Sequence, residues 1–147
     1  MTELNSEYKL NLNDCRKIKD FVGLYIEFRE ILINISQEES DFEIGGYRFI
    51  KADDIDSILE DELDSDPYII GSLADWLLSN VLNIDIDIVK VAQDTGLYDE
   101  LGDSVIRQDA VRSLKEKIVT LDGYGSYFAR YDRHEHSITG YYCFRIA

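Results

Sequence analysis

The sequence predicts an α+β domain with a helical centre and a small antiparallel sheet. Residues 42–51 alternate apolar and polar side chains on both sides of Gly45-Gly46, which is the pattern of a hairpin with a two-residue turn. Residues 126–146 are rich in aromatic side chains, which favour strands. Between these two segments, apolar residues recur at three- and four-residue intervals, as they do in helices that bury one face.

The first predicted element is a helix that Asn13 or Asp14 caps and that ends near Ile35. Its buried stripe contains Ile18, Phe21, Val22, Tyr25, Leu32 and Ile33. A polar loop separates this helix from the hairpin at 42–51.

The segment 52–66 carries eight carboxylates in fifteen residues and no Lys or Arg. If 53–64 is helical, one face carries the apolar residues and another carries a row of acids at three- and four-residue spacing. Like charges at this spacing destabilise an isolated helix by about 0.2–0.5 kcal/mol per pair, so stability alone would not select the pattern. The spacing of about one charge per 2.8 Å is close to that of a nucleic-acid strand, about 3.4 Å. The row consists of Asp53, Asp56, Glu60 and Asp64, and the apolar face includes Ile55, Leu59 and Leu63.

Pro67 suits the first position of a new helix, and apolar residues cover most of the circumference of the segment that follows. This predicts a central buried helix over 67–82, with Trp76 as a core anchor, which is favoured over a role in stacking on a ligand. The segment 84–92 fits an alternating strand as well as a helical stripe, and its place after a short turn favours the helix.

The spacing of these two helices and the turn between them resembles that of a helix-turn-helix unit, whose second helix lies in the major groove of DNA. The charges contradict that use, because the second helix carries Asp85, Asp87 and Asp94 with only Lys90 as a base. A short acidic helix over 98–106 follows.

Asp109 can cap a further helix that ends near Val119. The C-terminal segment then predicts two aromatic strands joined by a polar turn at 133–136. Together with the hairpin at 42–51, these strands would close the small sheet.

A chain of 147 residues is long enough to form one domain, 1–147, with a core of its own. Its net charge of −15 is concentrated, because residues 52–106 hold fifteen Asp and Glu side chains against one base, Lys90. A protein adapted to high salt would spread its acids over the whole surface, so this concentration indicates a local use. We expect no direct binding of nucleic acid, because the surface would repel a polyanion.

The N-terminal residues lack a basic stretch followed by an apolar one, and no run of eighteen apolar residues occurs. We therefore expect a cytoplasmic protein that does not associate with membranes. Cys15 and Cys143 are far apart in the sequence, which favours free thiols in a reducing compartment.

Candidate chemical sites are few. His134 and His136 could form half of a metal site with Asp132 or Glu135, although a solvated turn is the favoured interpretation. The carboxylates of 53–62 could hold divalent metals, but no Lys, Arg or His accompanies them to act on a substrate. No phosphate-binding or nucleophile motif occurs. We expect no enzymatic activity, no metal and no cofactor.

The clustering of acids suggests how the protein could act. A prefolded row of carboxylates is attracted to a groove lined by Lys and Arg, and it excludes the nucleic acid that normally lies there. In size, acidity and clustering of charge over 52–106, the chain resembles the DNA-mimic inhibitors of phages and mobile elements, including antirestriction and anti-CRISPR proteins. The resemblance implies an inhibitor of a basic nucleic-acid-binding protein, such as a nuclease or an interference complex. The carboxylates that we expect at the interface are Asp53, Asp56, Glu60, Asp61 and Asp64, with Asp85, Asp87, Asp99 and Glu100 as a second patch.

Other functions stay open at this point. An immunity protein or antitoxin that blocks a toxic nuclease would need the same kind of acidic surface. An interaction or scaffold protein would use the acidic face only to stay soluble. The sequence also leaves a homodimer open.

Overall fold

The computed structural model describes residues 25–130, 132–138 and 140–147, and for 25–28 the backbone alone. These residues form eight helices and a four-stranded antiparallel sheet, which confirms the predicted α+β class. The helices are α1 (Tyr25–Ser36), α2 (Ile55–Asp64), α3 (Pro67–Gly71), α4 (Asp75–Leu82), α5 (Ile86–Asp94), α6 (Tyr98–Arg107), α7 (Val111–Asp122) and α8 (Gly125–Phe128). The strands are β1 (Asp41–Ile44), β2 (Tyr47–Lys51), β3 (His136–Ile138) and β4 (Tyr141–Arg145).

The chain divides into two compact units. We call Asp56–Leu121 the helical unit, and the described residues of 1–55 and 122–147 the sheet unit. The assignment of all residues to one domain stays a prediction, because each unit is compact by itself. In the described ranges, no helix is both long enough and apolar enough to cross a membrane.

The sheet has the strand order β1-β2-β4-β3, with every neighbouring pair antiparallel. The first hairpin turns at Gly45 and Gly46, whose φ angles of 63° and 80° are the left-handed values that a type I′ turn requires. The hairpin predicted at 42–51 is therefore confirmed. Phe49, at the centre of the sheet, pairs with Phe42 on one side and with Cys143 on the other, and it is fully buried.

Helix α1 covers the sheet. Ile31, Leu32 and Ile35 are buried in one cluster with Phe49 and Cys143. The predicted start of this helix, and the stripe residues before Tyr25, lie outside the described residues. Of the described part of that stripe, Leu32 is buried as expected and Ile33 is half-buried, because the buried face is centred on its neighbours.

The C-terminal hairpin is shorter than the sequence predicts. Residues 125–128 form α8 instead of a strand, and the described turn residue between β3 and β4 is Gly140, whereas the sequence predicted the turn at 133–136. Of the two aromatic residues in α8, Phe128 is buried, with its ring centroid 5.1 Å from that of Phe144, and Tyr127 is half-buried. Gly140, with φ of 84°, provides the left-handed conformation of the turn.

In the helical unit, the single helix predicted over 67–82 is divided into α3 and α4. The break follows Gly71, where the Ser72 hydroxyl donates a hydrogen bond to the Ile69 carbonyl. Helix α4 turns Leu77, Leu78 and Leu82 inward, and Trp76 is therefore 50% exposed. The prediction that Trp76 anchors the core is wrong.

The backbones of α3 and α6 are in close contact at two glycines. A Cβ atom on Gly71 would lie 1.8 Å from the carbonyl oxygen of Tyr98, and one on Gly102 would lie 1.8 Å from that of Pro67. No other residue type fits at either position without a backbone shift. The rings of Tyr68 and Tyr98 pack edge to face beside this contact, with centroids 5.3 Å apart.

A tight turn connects α4 to α5, and it confirms the helical prediction for 84–92. Asn83 ends α4 in the left-handed conformation, with φ of 56°. The Ser79 hydroxyl donates to the Ile84 carbonyl across the turn, at 2.6 Å. The amide side chain of Gln93 on α5 donates to the carbonyls of Gly71 and Leu73, at 2.9 and 2.8 Å, and so fixes α5 to the loop after α3.

Asp109 has a different role from the predicted one. It adopts the left-handed conformation, with φ of 56°, and its amide donates to the carbonyl of Ile106. Asp109 therefore ends α6 instead of capping α7, which begins two residues later at Val111.

Candidate functional site

Helix α2 presents the predicted row of carboxylates on the side opposite to its buried side chains. Ile55, Leu59 and Leu63 are 0–1% exposed, as the sequence predicts. On the other side, Asp56, Asp61 and Asp64 are exposed, and Glu60 is half-buried. Because one side of the helix is packed, the carboxylates are held on a defined surface.

Two cations from α7 lie against this row. Arg112 Nε is 3.1 Å from Glu60 Oε1, and Lys115 Nζ is 3.7 Å from Asp56 Oδ1. The side chain of Lys115 is only 10% exposed, whereas that of Arg112 is 78% exposed. The sequence pattern predicts neither contact, because both join segments about fifty residues apart. The sequence does contain a pattern that is compatible with these two ion pairs. Arg112 and Lys115 are three residues apart on one helix, and their partners Glu60 and Asp56 are four residues apart on the other.

A cleft of about 510 Å³ lies between α2 and the start of α7. Carboxylates dominate its lining, with Arg112 as the one cation among them. In the described part of the chain, no group of three or more His, Cys, Asp or Glu side chains could hold a metal ion. The chemistry that the cleft offers is the pairing of carboxylates with ammonium or guanidinium groups. The lining residues are Glu60, Asp61, Asp64, Asp109, Val111 and Arg112.

Asp53 belongs to the sheet unit and lies outside α2, in the turn that follows β2. Its neighbour Asp54 accepts a hydrogen bond of 2.7 Å from the Ser40 hydroxyl. The predicted helix over 53–64 thus begins two residues later than expected, and Asp53 is exposed but is not part of the helical row.

The second predicted patch is formed by carboxylates at two helix N-termini. Asp85 caps α5 by accepting a hydrogen bond of 2.8 Å from the amide of Asp87. Asp99 and Glu100 lie in the first turn of α6, where a negative charge is stabilised by the helix dipole. All four side chains are exposed. Their positions give them a structural role as well as a place on the surface.

A groove that the sequence did not predict lies between α5 and α6. It has a volume of about 260 Å³, and most of the side chains that line it are apolar. Two of its apolar side chains are largely exposed, Ile88 at 59% and Leu97 at 44%, and Val91, three residues after Ile88 on α5, is 62% exposed. The groove is lined by Leu82, Ile84, Ile88, Ala92, Leu97, Glu100, Leu101, Ser104 and Gln108.

The His134 and His136 segment is in the sheet unit. The two ring centroids are 6.3 Å apart, and the Asp132 carboxylate accepts a hydrogen bond from the His134 amide at 3.0 Å. This hydrogen bond holds the pKa of Asp132 below its usual value, with a smaller contribution from the nearby histidines. The carboxylate therefore orders the turn.

Two buried titratable groups lie in the sheet. Burial raises the pKa of the Cys143 thiol to about 12. Burial also raises the pKa of Tyr141 to about 12, with further contributions from Glu38, Glu39 and Asp54. The Tyr141 hydroxyl donates to the Glu39 carbonyl at 2.7 Å. Cys143 is a free thiol, as expected, and its burial makes it unreactive.

No protein-family model, curated protein or solved structure matches the chain.

Proposed function

We propose that the protein is an acidic inhibitor that occupies the basic nucleic-acid-binding channel of a nuclease or of a restriction or CRISPR protein. The observation that carries the proposal is helix α2, on which exposed Asp56, Asp61 and Asp64 are fixed by buried residues on the opposite side. A channel that binds DNA is lined by Lys and Arg at the spacing of phosphates, and a fixed row of carboxylates matches it in charge.

The pairing of Asp56 and Glu60 with α7 lowers the charge of the row but supports its geometry. An array that is held in place before binding loses less conformational entropy when the partner arrives. The surplus of charge persists, because residues 56–121 contain fifteen acidic side chains and five Lys or Arg. The helical unit therefore still attracts a basic groove over several ångströms at low salt.

The test is a pair of charge-reversal variants. Asp61→Lys with Asp64→Lys changes two exposed acids of the cleft, and Glu30→Lys with Glu43→Lys makes the same charge change on exposed acids of the sheet unit. The tagged parent protein captures partners from a host lysate at low salt and at about 1 M salt, where the Debye length is about 3 Å. Each captured nucleic-acid enzyme is then purified and its cleavage of DNA is titrated with the parent and with both variants.

We expect the parent to inhibit cleavage in competition with DNA, and the cleft variant to bind more weakly by several kcal/mol at low salt. The sheet-unit variant should inhibit like the parent. Inhibition that is equal for all three proteins would refute the proposal and leave the acids as a solubilising surface. Capture of one cognate toxin, with its active site blocked, would identify an immunity protein or antitoxin instead.

A further inference from the structure

The groove between α5 and α6 is lined mainly by apolar side chains. Ile88 and Ala92 line it one turn apart on α5, and Leu101 lines it from α6. Ile84, in the turn before α5, and Leu97, just before α6, complete its apolar lining. Side chains one turn apart form a ridge on a helix, and the space between two such ridges accepts the ridge of a third helix. Ile88 and Ala92 are about 6 Å apart along α5 at a rise of about 1.5 Å per residue, which corresponds to about one turn of a docked helix.

Large apolar side chains in and next to the groove are exposed to solvent. Ile88 and Leu97 line it and remain 59% and 44% exposed, and Val91 beside them is 62% exposed. The apolar surface is therefore contiguous over two helices, which is typical of interaction sites. The volume of about 260 Å³ falls below the range of roughly 300–1,000 Å³ that small-molecule pockets occupy.

The charged side chains around the groove favour some classes of binding partner over others. Glu100 lines the groove, and Asp87 and Asp94 lie four and three residues from Val91, on the same face of α5. The exposed bases on these two helices are Lys90 and Arg107, so acids predominate. Nucleic acid and anionic lipid would be repelled, and a second copy would bring the same acids against this rim.

We propose that the groove binds an amphipathic helix of a protein partner, with apolar side chains at three- and four-residue intervals and Lys or Arg on its flanks. The apolar ridge fills the groove, and the basic flanks pair with Glu100, Asp87 and Asp94. This interaction goes beyond the proposed function, because it does not require a partner that handles nucleic acid and it does not use α2.

The experiment measures binding of a fluorescent synthetic helix of about eighteen residues, or five turns, with Leu on one face and Lys on both flanks. A second peptide has Glu in place of Lys, and a third has the Leu residues scrambled. The protein variants are Ile88→Asn and Val91→Asn in the exposed apolar patch. The control variant is Leu121→Asn, which changes an apolar side chain of similar exposure, 56%, on α7. Because all three positions are exposed, the variants should fold, and circular dichroism verifies this.

We expect the Lys-flanked peptide to bind the parent and the Leu121→Asn variant equally, and to bind Ile88→Asn and Val91→Asn roughly tenfold or more weakly. The Asp61→Lys and Asp64→Lys double variant should bind this peptide like the parent, which separates the groove from the DNA-mimic surface. Equal binding to the parent and Ile88→Asn, or equal binding of all three peptides, would overturn the proposal. So would sedimentation of the parent as a dimer that Ile88→Asn dissociates, since the occupant would then be a second copy.

Discussion

Arg112 Nε lies 3.1 Å from Glu60 Oε1, so the acidic row of α2 receives its counter-charge from a helix about fifty residues further along the chain. Lys115 makes the equivalent contact with Asp56, one turn away on both helices. The order of the two contacts is reversed between the helices, as expected for antiparallel neighbours. The row is therefore part of a small ion-pair network instead of a surface that only solvent surrounds.

Replacing Lys115 tests whether its charge or its packing matters more. The side chain is 10% exposed, while the partner carboxylate of Asp56 is 55% exposed and keeps its hydration when the cation is removed. We expect Lys115→Met to change the free energy of unfolding by less than about 1.5 kcal/mol, because it preserves the volume. Lys115→Ala should cost about 2 kcal/mol or more, because it leaves a cavity. Urea unfolding measures both values.

The control for these variants is Arg112→Ala. Its side chain is 78% exposed, so the surface pair with Glu60 should contribute at most about 1 kcal/mol, and less at high salt. If Lys115→Met destabilises the protein as strongly as Lys115→Ala, the ion pair outweighs the packing and our interpretation of Lys115 is wrong.

Charge reversal on α2 should have opposite effects at neighbouring positions. From the sequence, replacing Asp56, Glu60 and Asp64 by Lys would relieve repulsion and leave the fold intact. The structure changes this expectation, because a Lys at position 56 would face Lys115. We expect Asp56→Lys to lower stability by roughly 1–4 kcal/mol, the Coulomb energy of two charges about 4 Å apart near a protein surface. The Asp61→Lys and Asp64→Lys double variant should melt at or above the temperature of the parent, and thermal melting at low and high salt compares them.

The local signals of the sequence predicted most of the elements. Gly45-Gly46 fixed the first hairpin because adjacent glycines allow the two left-handed residues of its turn. The apolar spacing of Ile55, Leu59 and Leu63 identified the buried face of α2. These signals are reliable because they depend on neighbours within one or two turns.

The incorrect predictions concern residues whose positions depend on contacts in the tertiary structure. Trp76 was expected in the core because it belongs to the apolar positions of the predicted helix over 67–82, but the break after Gly71 sets the phase of α4 and leaves its indole half-exposed. The aromatic residues after Gly125 were expected in a strand, yet Phe128 packs on Phe144 from a helical turn. Spacing along the chain does not specify which neighbour will cover a large apolar side chain.

The residue types of the candidate site could be predicted from the sequence, but the way the fold brings them together could not. The acids of α2 and their exposure follow from the pattern of 53–64, whereas the cations opposite them come from α7. The apolar groove was missed because Ile88 and Val91 fit a helical stripe, and such a stripe usually faces the core. Here the buried residue of α5 is Val89, and Ile88 and Val91 are exposed.

The close contact between α3 and α6 predicts an unusual response to alanine. In an ordinary helix, Gly→Ala stabilises by about 0.5–1 kcal/mol. At Gly102, the added methyl group would lie 1.8 Å from the Pro67 carbonyl oxygen, so the helices must separate. We expect Gly102→Ala to lower the free energy of unfolding by about 3 kcal/mol or more, and Gly71→Ala to act similarly.

Gly96 provides the comparison, because its φ is 77° and nothing lies within 4 Å of an added Cβ. Gly96→Ala should cost only the strain of a left-handed residue, about 1–2 kcal/mol. Chemical denaturation of the three variants ranks them. A Gly102→Ala protein as stable as Gly96→Ala would show that α3 and α6 can separate at little cost.

The raised pKa values of Cys143 and Tyr141 predict a loss of stability at high pH. Burial raises the pKa of the thiol from its ordinary 9.0 to about 12, and that of the phenol from 10.0 to about 12. Above pH 9 the unfolded chain releases these protons while the folded chain still holds them. The unfolded state then binds fewer protons than the folded state, so the free energy of unfolding falls as the pH rises from about 9 to about 12. Below pH 9 neither group contributes to the pH dependence.

Tyr141→Phe separates the titration from the rest of the fold. Near neutral pH this variant should be less stable by about 0.5–1.5 kcal/mol, because the hydrogen bond to the Glu39 carbonyl is lost. Between pH 10 and 12 its stability should fall less steeply than that of the parent, because one of the two groups no longer titrates. Urea unfolding at several pH values, with Cys15→Ser in every protein to prevent oxidation, gives both slopes. Identical slopes would mean that the Tyr141 hydroxyl ionises equally well in the folded protein, and that its contact with Glu39 does not hold the proton.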